Sequence, residues 1–237
     1  MFAQATSTFG ETDIVCPGAG IYDPPWSNFW HPPGTQASKD TVSGSRYATL
    51  DINVVHPIRC TQLAIAAFLA SQRTNPPQHK TNRKQKRVLI VSSIAGQTSN
   101  LHTPIYVAAK HGMNGFVRSL AALDARFGIR VNGVAPGVIK TPLWTEHPEK
   151  LQFIEGAKDE WASPEEVAEA MLRCLVDDGL PGGSILEVGK GQTRMVEALN
   201  DPGPSGVGHT VSNLVGKYEE VYGVLEGDEW GGVKSRL

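Results

Sequence analysis

Several features that would place a protein in a special class are missing from this sequence of 237 residues. No apolar run approaches the ~18 residues needed to cross a membrane. The start, MFAQATSTFGETDIV, lacks the basic residues and long apolar core of a secretory signal. A formal net charge of -2 provides no general attraction for nucleic acid or anionic lipid. These absences predict a cytoplasmic protein that binds neither nucleic acid nor membrane.

Cysteine is also scarce. Cys16, Cys60 and Cys174 are odd in number and far apart, which indicates reduced thiols rather than a disulfide framework. No cysteine or histidine pair has the spacing of zinc ligands, so no metal site is predicted.

What is present is typical of one globular domain, with 40% hydrophobic and 19% charged residues. Apolar runs that read as buried strands alternate with segments of helical period. This alternation predicts an α/β fold, a parallel sheet with helices on both faces, in which ligands bind beyond the carboxyl ends of the strands. The predicted strands are 12–20, 87–93, 128–137 and 182–189, and the predicted helices are 45–72, 103–127 and 163–178.

Local signals mark where these helices begin and end. Thr103 and Ser163 are candidate N-caps, each followed by a proline that suits the first helical position. Gly128 is expected to end the second helix. Pro57 is expected either to kink the first helix or to sit in an early turn. A short helix at 213–224 is a further expectation.

Three side chains between residues 93 and 110 carry the chemistry. On a helix Tyr106 and Lys110 share a face, because they are four residues apart. A neighbouring ammonium is expected to lower the pKa of the phenol toward the working range. The Ser93 hydroxyl, at the end of the adjacent strand, can hold a carbonyl or alcohol oxygen beside the phenol. The trio predicts proton transfer for an alcohol/carbonyl couple, with hydride from a cofactor.

This arrangement resembles the short-chain dehydrogenase/reductases, whose hallmark is a serine, twelve residues and then YxxxK. Further segments are similar in the same order: CPGAG at 16–20, LDINVV at 50–55 and VNGVAPGVIKTPLW at 131–144. The stretch from Ser163 to Gly191 is similar to the end of the family's core, especially in fungal members that resemble 15-hydroxyprostaglandin dehydrogenase. The resemblance covers roughly residues 5–195.

The resemblance implies a reaction and a site. It implies that NAD or NADP exchanges hydride with a secondary alcohol or ketone, and that Tyr106 transfers the proton. It further implies that Lys110 lowers the pKa of Tyr106 and touches the ribose. Asn53 is implied to hold a proton-relay water. It also implies a homo-oligomer paired through the helices at 45–72 and 103–127, and a small-molecule substrate. An apolar substrate is expected from the tryptophans described below, not from the resemblance. The implied catalytic residues are Ser93, Tyr106, Lys110 and Asn53, and the implied cofactor-binding residues are Ala19, Gly20, Asn53, Tyr106, Lys110, Pro136, Gly137, Ile139 and Thr141.

One departure from the family pattern is the absence of the TGxxxGxG turn that binds the cofactor pyrophosphate. The first predicted strand matches the fourth strand of the family. We therefore expect an N-terminally truncated, incomplete Rossmann-like core at 1–195 with about four strands, equivalent to strands 4–7, and a C-terminal extension at 196–237. The strand at 12–20 would then lie at an open sheet edge, which another segment or chain has to cover.

Two other functions are compatible with these residues. A cofactor-free isomerase, dehydratase or cyclase could use the same serine, tyrosine and lysine without hydride. A catalytically inactive relic could instead pair with a partner through its open edge. Trp26, Trp30 and Trp144 are expected either to line an apolar substrate pocket or to pack the loops. His102 and His111 are expected at the surface.

Overall fold

The computed structural model describes residues 1–74, 84–146, 160–198, 222–223 and 225–227. The chain divides into two compact units. One comprises Met1–Asp13, Gln62–Lys84 and Glu197–Leu237, and the other comprises Ile14–Thr61 and Gln85–Val196. The second unit contains the sheet and every predicted site residue.

A five-stranded sheet forms the centre of the second unit, with its strands in chain order. The strands are β1 (Ile14–Val15), β2 (Lys86–Val91), β3 (Ile129–Pro136), β4 (Ile185–Gly189) and β5 (Gln192–Met195). The first four are parallel, with Val15 opposite Val88 and Val91 opposite Val134. This order confirms the predicted α/β sheet and places β1 at one edge of the strands that the structure describes.

The number of strands differs from the prediction, since β5 was not predicted. It pairs antiparallel with β4 through a two-residue turn, Lys190 and Gly191, in which Gly191 has a φ of 66°. All four residues of β5 are exposed, so the strand lacks the buried positions on which the pattern depends. The predicted first strand is also shorter, two residues rather than nine.

Seven α-helices are described. They are α1 (Phe2–Phe9), α2 (Ala48–Leu50), α3 (His56–Thr74), α4 (Pro104–Ser119), α5 (Ala122–Phe127), α6 (Pro142–Thr145) and α7 (Pro164–Val176). α1 and α6 were not predicted. The segment 103–127 is two helices, because the chain turns at Leu120 and Ala121. Of the short helix expected at 213–224, only Tyr222 and Gly223 lie within the described residues, and both are helical.

The predicted helix at 45–72 contains a wide turn. Residues Asp51–Val55 form a π-helical turn between α2 and α3, and Pro57 follows in the first turn of α3. Proline has no N–H to donate to the carbonyl four residues earlier, here that of Asn53, and its ring crowds that carbonyl. A π turn relieves this crowding, which accounts for its position directly before Pro57.

Helices cover both faces of the sheet, as predicted. On one face Leu89, Val134, Leu186 and Val188 pack with Ala170 and Cys174 of α7 in one buried cluster. On the other face, Gly133 of β3 faces the Val117 side chain of α4, since an added Cβ would lie at van der Waals distance, 3.6 Å, from it. The core therefore lies on both sides of β2, β3 and β4.

The expected helix ends are largely confirmed. Ser163 and Glu166 form a capping box at the start of α7, and Gly128 ends α5 with a φ of 65°. Pro104 occupies the first turn of α4. Thr103 takes the N-cap position of α4, but its side chain makes no capping hydrogen bond, and its buried Oγ1 has no partner within the part of the chain that the structure describes.

In the first unit, the buried residues include the later part of α3 and Leu225. Phe68 and Leu69 are almost fully buried. Ser71 hydrogen-bonds Glu11, and Arg73 donates to the carbonyl of Leu225 at 3.0 Å. The stretch Ala48–Thr74 is long and apolar enough to cross a membrane by composition, but core helices of proteins in water pass the same test.

Candidate active site

Ser93 lies just beyond the carboxyl end of β2, where the chain turns away from the sheet. It caps a single 3-10 turn, Ile94–Gly96, and its Oγ accepts a hydrogen bond from the amide of Ala95 at 3.2 Å. Its extended backbone aims the hydroxyl toward the carboxyl end of β3, where the carbonyl of Pro136 lies 3.5 Å away. The predicted strand-end position of this hydroxyl is therefore confirmed.

Tyr106 and Lys110 lie one turn apart on α4, as their spacing predicts. The Lys110 Nζ lies 5.3 Å from the centroid of the Tyr106 ring and donates a hydrogen bond to the carbonyl of Val91 at 2.9 Å. That carbonyl belongs to the last residue of β2. One buried lysine thus joins the tyrosine-bearing helix to the end of the strand that leads to Ser93.

The electrostatics differ from the prediction for Tyr106. Burial raises the pKa of Tyr106 to about 12, and the nearby Ser93 hydroxyl offsets this only in part. Burial also lowers the pKa of Lys110 to about 8. The pKa of Tyr106 therefore lies above its ordinary value and not below it as expected, because burial destabilises the phenolate. That the Lys110 ammonium stabilises the phenolate stays a prediction. At neutral pH Tyr106 is a phenol, suited to donating a proton.

Asn53 supports the backbone at the carboxyl end of β1. Its Oδ1 accepts a hydrogen bond from the amide of Ile21 at 2.9 Å, and its Nδ2 donates to the Ile21 carbonyl at 2.8 Å. A Cβ on Gly20 would lie 3.2 Å from the same Oδ1. Asn53 therefore locks the Gly20–Ile21 backbone beside the site.

A cavity of about 200 Å³ opens at the carboxyl ends of β1, β2 and β3. Eight of the nine predicted cofactor-binding residues line it, and the ninth, Asn53, lies behind Gly20. The eight are Ala19, Gly20, Tyr106, Lys110, Pro136, Gly137, Ile139 and Thr141. The structure thus brings together residues that are separated by more than a hundred positions in the sequence.

A second cavity, of about 430 Å³, lies on the other side of Tyr106. Ser93, Tyr106, Gly137, Leu143 and Trp144 line both cavities. The remaining lining residues of the larger one are Tyr22, Ile94, Ala95, Thr98, Asn100, His102, Thr103 and Val138. The proposed proton donor therefore stands where the two cavities meet.

Aromatic residues form one wall of the larger cavity. Tyr22 packs edge-on against Tyr106, with ring centroids 4.9 Å apart, and tilts against Trp144 at 5.8 Å. Trp161 extends the row beyond Trp144. The three tryptophans were expected either to line a pocket or to pack the loops. Trp144 lines both cavities, whereas Trp26 lies under Lys39 and Trp30 donates to the carbonyl of Leu101. Exposed His102 lines the cavity, a role that the sequence did not indicate.

A buried polar network behind Ser93 connects the strand to the helix. The Ser92 hydroxyl donates to Oδ1 of Asn114 at 2.6 Å, and Nδ2 of Asn114 donates to the carbonyl of Gly96 at 2.9 Å. The sequence carried no signal for this network, because single serine and asparagine residues have no distinctive spacing. No cluster of His, Cys, Asp or Glu in the described residues could hold a metal ion.

Comparison with known proteins agrees with this geometry. The family of short chain dehydrogenases matches residues 1–152. The chain belongs to this family. Among curated relatives, cis-4-hydroxycyclohexanecarboxylate dehydrogenase of Sinomonas cyclohexanicum is 30% identical over 196 residues, which is 81% of this chain and 70% of the relative. The 15-hydroxyprostaglandin dehydrogenase (NAD(+)) of Rattus norvegicus is 28% identical over 201 residues, which is 79% of this chain and 64% of the relative.

Solved structures share the fold of this short-chain dehydrogenase. A 4-hydroxyisoleucine dehydrogenase complexed with NADH has a TM-score of 0.57 and 21% identity, over 79% of this chain and 71% of the other. A mutant of a protein with the same name, complexed with NADH and succinate, has a TM-score of 0.60 and 22% identity, over 80% of this chain and 74% of the other. These similarities confirm the predicted Rossmann-like fold.

Proposed function

We propose that this short-chain dehydrogenase interconverts a secondary alcohol and a ketone with NAD or NADP. The observation that carries the proposal is the position of the Tyr106 phenol between two cavities. One cavity is lined by the predicted cofactor residues and the other is largely apolar. The curated relatives are named as dehydrogenases of hydroxyl-bearing compounds, which supports the same reaction class.

Each member of the trio has a distinct task in this reaction. In the direction of ketone reduction, the Ser93 hydroxyl hydrogen-bonds the substrate oxygen and Tyr106 donates its proton to that oxygen as negative charge develops. The raised pKa of Tyr106 keeps the phenol protonated for this step. In alcohol oxidation Tyr106 accepts the proton, and the Lys110 ammonium stabilises the phenolate.

The residues of the smaller cavity fit the nicotinamide and ribose portion of such a cofactor. Gly20 and Gly137 of this cavity pack closely against the protein behind it, since an added Cβ would lie 3.2 Å from Asn53 Oδ1 and 3.3 Å from the Val188 carbonyl, respectively. Lys110 would contact the ribose, and the Ile139 backbone and Thr141 would contact the nicotinamide end. When bound, NAD(P) supplies the hydride acceptor or donor, and this chemistry is the cofactor's own.

The larger cavity indicates a small and mainly apolar substrate. Tyr22, Trp144 and Leu143 line it, and apart from the two tyrosines only His102 among the described lining residues has an ionisable side chain. A site without a fixed charge does not compensate for the desolvation of an ionised substrate. An uncharged ring-bearing or branched secondary alcohol fits this lining best.

Cofactor binding and turnover are tested separately. Isothermal titration with NADH and with NADPH should give binding tighter than millimolar for at least one of them. A panel of uncharged secondary alcohols and ketones, followed by NAD(P)H absorbance, should then show turnover that Tyr106→Phe abolishes. A chain that binds neither nucleotide would contradict the oxidoreductase. Turnover without nucleotide would favour an isomerase, dehydratase or cyclase on the same residues.

We also propose that the protein acts in the cytoplasm as a homo-oligomer paired through the stretches 45–72 and 103–127. Support comes from the free state of Cys16, Cys60 and Cys174 and from the exposed apolar residues Val55 and Ile58 on the first stretch. Light scattering of the purified chain tests the assembly. Paired charge substitutions at Val55 and Ile58 should shift it toward the monomer.

A further inference from the structure

One edge of the larger cavity is formed by the segment that follows the 3-10 turn after β2. Thr98, Asn100 and His102 of this segment line the cavity and are exposed, so they lie at its mouth, whereas Tyr106 lies deeper. Leu101 stands between two of these lining residues, and it is 80% exposed. Any part of a bound molecule that continues out of the cavity past this edge therefore meets Leu101.

Two further exposed apolar side chains lie next to Leu101. The Trp30 Nε1 donates a hydrogen bond to the Leu101 carbonyl at 2.9 Å, and the Trp30 ring packs edge-on against Phe29, with ring centroids 5.0 Å apart. Phe29 is 52% exposed and Trp30 is 51% exposed. Phe29, Trp30 and Leu101 thus form a continuous apolar rim at the mouth of the cavity. Contiguous exposed apolar surface of this kind marks a place where an apolar group binds.

Hydrogen bonds hold this apolar rim in position. The amide of Trp30 donates to Oδ1 of Asn28 at 2.9 Å, and its Nε1 fixes the indole against the Leu101 backbone. On the other side, the amide of His102 donates to Oδ1 of Asn100 at 2.9 Å, which closes a tight turn around Leu101. A surface that is already ordered loses little conformational entropy when it binds a ligand.

We propose that the apolar rim binds an apolar extension of the substrate, an alkyl or aryl group that projects from the reacting carbon out of the larger cavity. The inference rests on the proposed function, because it names the substrate class of the same cavity. The rim continues the apolar wall that Tyr22 and Trp144 form inside the cavity, so one molecule can contact both. Three side chains are far fewer than the roughly 20–30 residues a side of a stable protein interface, which favours a substrate group over a second protein.

The test is a series of straight-chain 2-alkanones, from 2-butanone to 2-decanone, titrated into the protein alone and with NAD⁺ or NADP⁺. These oxidised nucleotides cannot reduce a ketone, so binding is read without turnover, from tryptophan fluorescence. In the unchanged chain, each methylene that the rim buries should tighten binding by up to about fourfold. The shortest ketones, which end within the cavity, should not show this gain.

Leu101→Ser removes the exposed apolar side chain and keeps the backbone carbonyl that Trp30 binds. We expect it to weaken binding of 2-decanone by about three- to tenfold and to leave 2-butanone unchanged. Leu172→Ser is the matched control, because Leu172 is a 57% exposed leucine on α7 that lines neither cavity. This variant should bind every ketone as the unchanged chain does.

The same dependence on chain length in Leu101→Ser and in the unchanged chain overturns the inference, and so does a failure of 2-decanone to bind. If Leu101→Ser instead turns a dimer into a monomer in light scattering, or abolishes binding to phosphatidylcholine vesicles, the rim binds a second copy or a lipid surface. Length dependence that Leu101→Ser removes, in a chain that oxidises NAD(P)H with no ketone, supports the rim and counts against the proposed function. Turnover without length dependence does the reverse.

Discussion

Asn53 hydrogen-bonds both backbone groups of Ile21, accepting from its amide at 2.9 Å and donating to its carbonyl at 2.8 Å. Few side chains can make this pair of bonds, because it needs a donor and an acceptor on one planar group. The relationship links the π-helical turn to the end of β1. It therefore determines where Gly20 lies at the edge of the proposed cofactor cavity.

Replacing Asn53 by Asp tests this link. The substitution keeps size and acceptor but turns the donor into a second oxygen that faces the Ile21 carbonyl. We expect a loss of about 1–3 kcal/mol in the free energy of unfolding, the cost of a buried polar group without its partner, together with weaker NAD(P) binding. Urea denaturation and calorimetric titration measure the two effects. Ser119→Ala, on the exposed surface of α4, is the control and should change neither.

Tyr106→Phe removes the proposed proton donor and little else. General acid–base catalysis contributes about 10²–10⁴-fold to rates, so turnover should fall by that factor while nucleotide binding persists. Steady-state kinetics and calorimetric titration report these separately. Tyr47→Phe, at a half-buried tyrosine outside both cavities, should retain activity. Full activity in Tyr106→Phe would remove Tyr106 from the mechanism.

The lowered pKa of Lys110 predicts an alkaline limit. Its ammonium is lost as pH rises through about 8, so the step that depends on the charge should weaken above that pH. Lys110→Arg keeps a positive charge throughout this range, because the pKa of arginine is far higher. We expect its kcat/KM to be lower but to lack the decline near pH 8. The same decline in both proteins would show that another group causes it.

Asp23 predicts a pH-dependent cost to stability. Burial raises its pKa from the ordinary 3.8 to about 6, so the folded state holds the proton more tightly than the unfolded state. The resulting stabilisation is complete below about pH 4 and is lost as pH rises through about 6. Above that range Asp23→Asn should be the more stable protein, by up to about 3 kcal/mol. Denaturation of both proteins at about pH 4 and pH 7.5 checks whether the difference disappears in acid.

Gly96 offers a steric test of the support behind Ser93. A Cβ there would lie 2.5 Å from Nδ2 of Asn114 and 2.8 Å from the carbonyl of Lys110, so Gly96→Ala must displace backbone of α4. We expect a loss of about 1–3 kcal/mol and reduced turnover. Gly112→Ala is the matched control: Gly112 lies on α4 itself, and a Cβ there would have nothing within 4 Å. This variant should be neutral or slightly stabilising. Equal losses of stability in the two variants would show that the close contact of Gly96 with α4 is not the cause.

Much of this arrangement could be predicted from spacing alone. The Tyr106–Lys110 pair needed only the period of a helix, and Ser93 needed only the end of a buried strand. β5 could not be predicted, because its four exposed residues carry no buried alternation. The raised pKa of Tyr106 and the burial of Asp23 depend on residues distant in sequence, which close around them only in the fold. Spacing predicted which groups meet, but not how far water is excluded from them.

The π-helical turn at Asp51–Val55 makes this part of the chain sensitive to residue number rather than to residue type. In a regular helix each residue advances the side-chain direction by about 100°. Deleting one residue between 51 and 55 would restore the regular period and turn Asn53 away from Ile21, even if every remaining side chain were acceptable. We therefore expect related sequences that keep this site to differ in the residue types of this segment far more often than in its length.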